Sequence, residues 1–244
     1  MAKPQINVDI KPRGTASAYV AAPFDEGKEA LAKEGYRIIS LQENARLRMQ
    51  EGKDAFVSQN GNWTREGVLY VPGKGKYLTK NSPIMANAKQ ATDCHRKGED
   101  FYLTAEQVEQ SLDGAVELTG KSIPTNGFGS SDIAVYAFGE EAQKYGDFLK
   151  EAKITEMPVY LASMENKPFA RQIWFRSLGG WSELYGDGRL LDSDYGVRGV
   201  QDSAEGTVAK KGEVYTPAQM EKALKELGFP GVSKGLVEKL RTFN

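Results

Sequence analysis

The sequence is poor in the two residues that most often bind metals or act in covalent catalysis, with one cysteine and one histidine among 244 residues. A single cysteine excludes an intrachain disulfide and a zinc site built from four cysteines. Cys94 and His95 are neighbours, and adjacent side chains on a helix or strand diverge, so they are not expected to form a thiol–imidazole pair. We therefore predict a protein that is not an enzyme, with no catalytic residue, no metal and no cofactor.

Excess charge and long apolar runs are also missing. The chain has 32 basic and 33 acidic residues, a formal net charge of −1, whereas proteins that coat nucleic acid carry a large basic excess. No apolar run approaches the roughly 18 residues of a membrane-spanning helix. Residues 1–10 (MAKPQINVDI) lack the apolar centre of a signal peptide. We expect no membrane insertion and no nucleic-acid partner, and the cellular location stays open.

Hydrophobic periodicity and turn residues predict a mixture of helices and strands. Helices are predicted over 26–34, 41–50, 105–112 and 140–152, the first three capped by Asp25, Ser40 and Thr104. Strands are predicted within 4–22 and at 36–39, 68–71, 77–78, 132–138, 158–161, 172–176 and 195–200. The expected class is α+β, with one domain over 1–200 that holds a loop-rich insertion at about 53–130. A helical extension follows over 201–244, with helices starting near Pro217 and Ser233.

The most unusual segment is 171–200, RQIWFRSLGGWSELYGDGRLLDSDYGVRGV. It is rich in glycine, tyrosine, serine and aspartate, and it contains no lysine. Aromatic rings give rigid contact area and small polar residues allow close approach, which is typical of an adaptable binding surface. The same composition also occurs in ordinary long surface loops.

Two short motifs suggest other functions. Asp192 and Asp194 could be part of a cation site, but a calcium loop needs about six oxygen ligands and usually a bidentate glutamate. Residues 229–240 (FPGVSKGLVEKL) resemble a helix-hairpin-helix element, whose turn binds a nucleic-acid phosphate through backbone amides. Ser233 and Val237 stand where that element has a glycine and a small alanine. Nucleic-acid binding through this hairpin is therefore an alternative function.

Two segments resemble a known family. GYRIISLQENARLRMQ (35–50) is similar to the second-helix region of the formylglycine-generating-enzyme type of C-type lectin fold, and 171–200 is similar to its closing strands. Together they most resemble the variable proteins of diversity-generating retroelements, of the archaeal and viral kind. In that family a reverse transcriptase rewrites adenines, and the product replaces a C-terminal variable region on one face of the fold. The resemblance covers about 15–50 and 130–200.

The resemblance implies a ligand-binding protein and a set of contact residues. Rewriting the adenines of AAC or AAT codons yields Ser, Gly, Tyr, Asp, Leu, Arg and others, but never Lys, Gln, Glu, Met or Trp. Trp181 and Glu183 would thus be fixed residues that still touch a ligand. The implied contact residues are Ser177, Gly179, Gly180, Trp181, Glu183, Tyr185, Asp187, Leu190, Asp192, Ser193, Asp194 and Tyr195. The scaffold would comprise Ile173, Phe175, Leu184, Gly186, Leu191 and the final Val-Arg-Gly-Val.

The resemblance also implies the kind of partner. The expected ligand is an unknown protein or cell-surface molecule, and association with a virion is one location that the family allows. An enzyme of the same fold is the remaining alternative. Its copper-dependent oxidases need a cysteine pair, however, and this chain has a single cysteine.

Overall fold

The computed structural model describes residues 17–192 and 195–201. Two predictions lie outside these residues: the strands expected before residue 17, and the C-terminal helices expected near residues 217 and 233. Within the described ranges, helices and strands alternate along the chain, in agreement with the predicted α+β class.

The described strands form a single mixed sheet. Its main order is β1-β11-β3-β9-β10-β8-β7, with β2, β4, β5 and β6 attached at its sides. The two strands nearest the ends of the described chain, β1 and β11, pair antiparallel with Ser17 opposite Val200. The strands are β1 (Ser17–Ala21), β2 (Arg37–Ile38), β3 (Asn62–Val71), β4 (Gly75–Thr79), β5 (Phe101–Tyr102), β6 (Val116–Glu117), β7 (Ser122–Pro124), β8 (Glu156–Tyr160), β9 (Phe169–Phe175), β10 (Leu184–Tyr185) and β11 (Gly196–Val200).

The helices pack against this sheet, and two of them begin at the predicted caps. Ser40 and Thr104 each accept a bond from a backbone N–H of the first turn in a complete capping box. Asp25 does not cap the first helix, because Pro23 takes the cap position and Asp25 lies in the first turn. The helices are α1 (Phe24–Lys33), α2 (Leu41–Glu51), α3 (Phe56–Gln59), α4 (Pro83–Ala86), α5 (Ala88–Arg96), α6 (Ala105–Leu112), α7 (Asp132–Phe138) and α8 (Ala142–Glu151).

The strand predicted over 132–138 is wrong, because this segment is helix α7. A short apolar run cannot be assigned to a strand or to a buried helix by its periodicity alone. Here Ser131 caps the first turn by accepting a bond from the backbone N–H of Ala134. Ala134, Ala137 and Phe138 then fall at helical spacing and are fully buried. Burial of that face in the core therefore stabilises a helix in this segment and not a strand.

The segment 53–130, predicted to be a loop-rich insertion, contributes a central strand of the main sheet. Strand β3 lies between β11 and β9 and pairs with both. Its first half, Asn62–Glu66, is polar apart from Trp63, so the apolar pattern revealed only 68–71. Glu66 is nevertheless buried, and its carboxylate accepts the backbone N–H of Leu41 at 3.0 Å. A polar strand is thus stabilised by contacts with the start of α2.

Both faces of the sheet are covered, so the core has two apolar layers. One layer joins β3 and β9 to α2, α7 and α8, through residues such as Val68, Phe175 and Tyr145. The other joins the sheet to α1, α5 and α6, through residues such as Leu69 and Leu191. Adjacent residues of β3 therefore enter opposite layers, as the alternation of side chains along a strand requires. The central strands form a rigid frame for the segment that follows β9.

Candidate ligand-binding site

Strand β9 divides its residues between the core and an open face. Ile173 and Phe175 are fully buried, whereas Trp174 between them is half-buried and Arg176 just beyond is exposed. Strand β10 runs antiparallel to β9 and places Tyr185 opposite Trp174. The hairpin of β9 and β10 therefore brings Trp174 and Tyr185 side by side.

The turn between β9 and β10 presents Trp181 to solvent. Trp181 and Ser182 both have left-handed backbone angles, with φ of 65° and 58°, a conformation that is unfavourable for residues other than glycine. Ser182 is fully buried, and its Oγ lies 2.6 Å from the Tyr145 hydroxyl and 3.0 Å from Nη1 of Arg48. These bonds hold the strained turn, and Trp181 is left 61% exposed.

The loop over 186–192 begins at a tightly packed glycine. The backbone N–H of Gly186 donates to the carbonyl of Tyr160 at 2.8 Å, and the hydroxyl of Tyr70 donates to the carbonyl of Gly186 at 2.8 Å. A Cβ on Gly186 would lie 2.8 Å from Cγ2 of Val68. Glycine is thus required at this position by the close approach of β3.

The rest of the loop is anchored through its main chain. Nη1 of Arg171 donates to the carbonyl of Asp187 and also lies 3.3 Å from its side-chain Oδ1. Further along, the backbone N–H of Phe24 donates to the carbonyl of Leu191 at 2.7 Å. In these hydrogen bonds the acceptors within the loop are backbone carbonyl oxygens. The bonds therefore do not depend on which side chains the loop carries.

Arg171 is itself held by a buried carboxylate. Its Nε and Nη2 donate to the two oxygens of Asp100 at 2.9 and 3.1 Å, and both side chains are almost completely buried. Burial by itself raises the pKa of the Asp100 carboxyl, but the bonds and charge of Arg171 outweigh it, so the pKa lies below its usual value. The pair is therefore ionised at neutral pH.

The hairpin and the loop enclose an aromatic cavity of about 370 Å³. The Trp174 ring lies 5.2 Å from the Trp63 ring and 5.1 Å from the Tyr195 ring, measured between centroids. Polar groups at its edge come from Arg176 and Ser177. The lining residues are Gly61, Trp63, Trp174, Arg176, Ser177, Tyr185, Gly188, Leu190 and Tyr195.

The structure brings four of the sequence-predicted contact residues together in this cavity: Ser177, Tyr185, Leu190 and Tyr195. Gly179, Trp181 and Asp187 are exposed outside its lining, and Asp192 is half-buried. Gly180 lies in the short 3-10 turn Leu178–Gly180. Ser193 and Asp194 lie outside the described residues.

Glu183 occupies a different environment from the one predicted for a contact residue. It is buried, and its carboxylate binds Nη1 of Arg176 at 2.8 Å. A side chain one residue before β10 turns inward because Leu184 and the preceding Ser182 are also buried. In this structure the carboxylate of Glu183 orients Arg176 at the edge of the cavity.

Five of the lining residues were not among the predicted contacts: Gly61, Trp63, Trp174, Arg176 and Gly188. The alternation of apolar Ile173 and Phe175 with Trp174 and Arg176 is a signal in the sequence that could have placed the last two on the open face. Nothing local identifies Gly61 and Trp63, because more than one hundred residues separate them from β9.

The single histidine, His95, is buried and has no hydrogen-bond partner among the described residues. His95 is 4% exposed, and both ring nitrogens lack a partner among the described residues. Burial lowers its pKa from 6.5 to about 4. The nearby carboxylates of Asp100 and Asp192 raise the pKa, and the cations Arg171 and Arg189 lower it further. His95 is therefore neutral in the folded protein at neutral pH.

Acid should destabilise the fold through His95. The unfolded chain binds the imidazole proton below about pH 6.5 and the folded chain only below about pH 4. Hence the stability present above pH 6.5 is lost as pH falls toward 4, by up to about 3 kcal/mol. Urea unfolding of the wild type and His95→Phe from pH 7.5 to 4 measures this. We expect the wild type to lose stability relative to the variant, and a constant difference would contradict the assignment.

The lone cysteine is not placed as an activated nucleophile. Burial raises the pKa of the Cys94 thiol, the opposite of what a nucleophilic cysteine requires. Within 17–192 and 195–201, no group of three or more His, Cys, Asp or Glu side chains is placed to hold a metal ion. In the same ranges, no helix combines the length and apolar character needed to cross a bilayer.

Comparison with known proteins yields one informative match. No family model and no curated protein matches the sequence. A solved structure reported as "Accommodation of massive sequence variation in Nanoarchaeota by the C-type lectin fold" is similar, with a TM-score of 0.56 and 12% identity, over 80% of this chain and 99% of that chain. The protein has a C-type lectin fold. The predicted fold class is thereby confirmed, and at this identity the similarity establishes the fold alone.

Proposed function

We propose that this protein is a non-catalytic ligand-binding protein whose surface is diversified by a retroelement. The C-type lectin fold is the scaffold, and the predicted contact residues within 177–195, other than Trp181 and Glu183, are the exchangeable part. The ligand would be a protein or another molecule on a cell surface. Within the fold, the chain would belong to the formylglycine-generating-enzyme-like subtype found in archaea and their viruses.

The main support for this proposal is that the loop after β10 is held by hydrogen bonds to its backbone. Gly186, Asp187 and Leu191 are held through main-chain atoms, by Tyr70, Arg171 and Phe24. A main-chain acceptor is present whatever the side chain, so most substitutions in the loop leave these bonds intact. A frame of this kind supports many different surfaces.

The distribution of burial supports the same conclusion. The residues assigned to the scaffold are buried, among them Ile173, Phe175, Leu184 and Val197. Several exposed or half-buried positions carry residues that adenine rewriting can produce, namely Tyr185, Asp187 and Leu190, whereas the exposed Trp181 would be a fixed residue. Exposed side chains can change with little effect on stability, about ±0.5 kcal/mol each, whereas changes in the core are costly.

The related solved structure adds support of a limited kind, since its reported subject is massive sequence variation on this fold. Ligand affinity would come from a few aromatic anchors, and the exposed carboxylate of Asp187 would contribute more to the choice of partner than to strength. Display of several copies on one particle, such as a virion, would raise a weak affinity by avidity.

A survey of sibling genes tests the proposal. We expect copies from one population to differ mainly at exposed positions of 177–195 and to keep the buried residues of β9, β10 and β11. A near-copy of the codons for about 171–200, differing only at adenines, and a reverse-transcriptase gene should lie nearby. Differences scattered evenly over the chain, with no near-copy, would refute the proposed diversification and leave only the fold.

A further inference from the structure

The cavity has a floor that the exchangeable residues do not supply. Gly61 and Trp63 come from the start of β3, and Trp174 and Arg176 come from β9 and the residue after it. None of these four belongs to the predicted contact set. They form what we call the anchor floor, and the exchangeable Ser177, Tyr185, Leu190 and Tyr195 form its rim.

The main surface of the anchor floor is the indole of Trp174, which its neighbours hold in place. Trp63 contacts it edge-on, with an angle of 73° between the rings. Gly61 lies directly beneath, where a Cβ would come within 2.7 Å of the Trp174 ring. A half-buried ring with a fixed orientation provides contact area at little cost in conformational entropy.

One polar group of the anchor floor, the guanidinium of Arg176, is suited to an oxygen-bearing ligand. The side chain of Arg176 is 53% exposed, and Glu183 holds Nη1 of its guanidinium at 2.8 Å, which orients the rest of the group for a carboxylate. Trp63 is only 2% exposed, and its Nε1–H is buried, so Trp63 supports the ring of Trp174 and offers the ligand no polar contact.

Size and surroundings favour a protein as the source of the ligand. A volume of about 370 Å³ lies near the lower end of ligand sites, roughly 300–1,000 Å³, and suits one large side chain. Two of the lining side chains, Leu190 and Tyr195, are exposed and apolar. Aromatic residues at the centre of an apolar patch are typical of the energetic core of a protein interface.

We propose that the anchor floor binds one aromatic side chain with an adjacent carboxylate, presented by a protein partner. This inference rests on the proposed function and assigns different roles in binding to the anchor floor and to the rim. The anchor floor would bind the same aromatic side chain in every sibling protein, because its four residues would be the same in all of them. The rim then accepts or rejects the sequence around the anchored residue.

The three tryptophans of the chain, Trp63, Trp174 and Trp181, make the test direct. Each gives one indole N–H signal in a ¹H–¹⁵N correlation spectrum, and single Trp→Phe variants assign them. Titration with N-acetyl-L-phenylalanine should shift the Trp63 and Trp174 signals saturably, with a millimolar Kd. The Trp181 signal should stay in place, because Trp181 does not line the cavity.

Two controls test the carboxylate and the class of ligand. N-acetyl-L-phenylalanine amide, or Arg176→Gln with the acid probe, should bind about tenfold more weakly, since a charge-assisted bond is lost. Arg176 is exposed, so its variant should fold, which the dispersion of the spectrum checks. Methyl β-D-glucuronide, a sugar carboxylate, should bind more weakly than the aromatic acid.

Three outcomes would overturn the inference. The first is the lack of a saturable shift up to about 20 mM probe, roughly the weakest binding of interest. The second is an equal shift of all three indole signals, and the third is tighter binding of the glucuronide, which would assign the cavity to a carbohydrate. None of these outcomes affects the sibling-gene survey. A failure of the anchor floor is therefore distinguishable from a failure of the proposed diversification.

Discussion

Replacing Arg48 with alanine is expected to lower the free energy of unfolding by about 3–5 kcal/mol. Arg48 is fully buried on α2, and its guanidinium lies 4.0 Å from the centre of the Phe175 ring. It donates to the carbonyls of Val57 and Arg176 and to the hydroxyls of Tyr145 and Ser182. The variant removes the guanidinium donor from both carbonyls, leaves the hydroxyls of Tyr145 and Ser182 bonded only to each other, and opens a cavity under the β9–β10 turn.

Arg46, two residues earlier on the same helix, is the matched control. It forms ion pairs with Glu140 and Glu141, but its side chain is 36% exposed. Glu141 is buried, but Lys144 lies 4.0 Å from its carboxylate and partly replaces the lost charge. Arg46→Ala should therefore cost about 1 kcal/mol, less than Arg48→Ala. Urea unfolding of both variants decides the matter. Equal losses for the two variants would show that Arg48 has no special structural role.

Replacing Asp100 with asparagine is expected to cost about 3–5 kcal/mol, because it removes the buried counter-ion of Arg171 and leaves only the half-exposed carboxylate of Asp187 beside it. Asparagine keeps the shape of aspartate, so the loss reports the charge and not a cavity. Arg171 also donates to the carbonyl of Asp187. The variant should therefore loosen the loop over 186–192, and backbone amide exchange there should speed up.

The control for this variant is Asp93→Asn on α5. Asp93 is 42% exposed and pairs with Lys89 and Arg96 at the surface, so the change should cost less than about 1 kcal/mol. A second check is the double variant Asp100→Asn, Arg171→Met, which removes the uncompensated charge. It should recover part of the lost stability. If the double variant is less stable than Asp100→Asn alone, the buried charge is not the cause of the loss.

The variants at Arg48 and Asp100 have a functional meaning beyond stability. Arg48 holds the turn that presents Trp181, and Asp100 holds the arginine that fixes the loop after β10. Both lie outside 177–195. In the proposed function, such frame residues determine where the binding surface lies, and the exchanged residues determine what it binds.

Local sequence patterns determined a good part of this protein. Ser40 and Thr104 were recognised as helix caps because capping depends on residues within one turn. The class was clear from the mixture of helical and strand periodicities. Each of these features is decided by neighbours in the chain.

Long-range packing decided the rest. Residues 132–138 are helical because their apolar face enters a core that no local pattern describes. The polar start of β3 is central because Leu41 and β9 supply its bonds. The cavity exists because Gly61 and Trp63 meet Trp174 across more than one hundred residues of sequence. Side chains far apart in sequence become neighbours only when the sheet has formed, and burial of apolar surface drives that step.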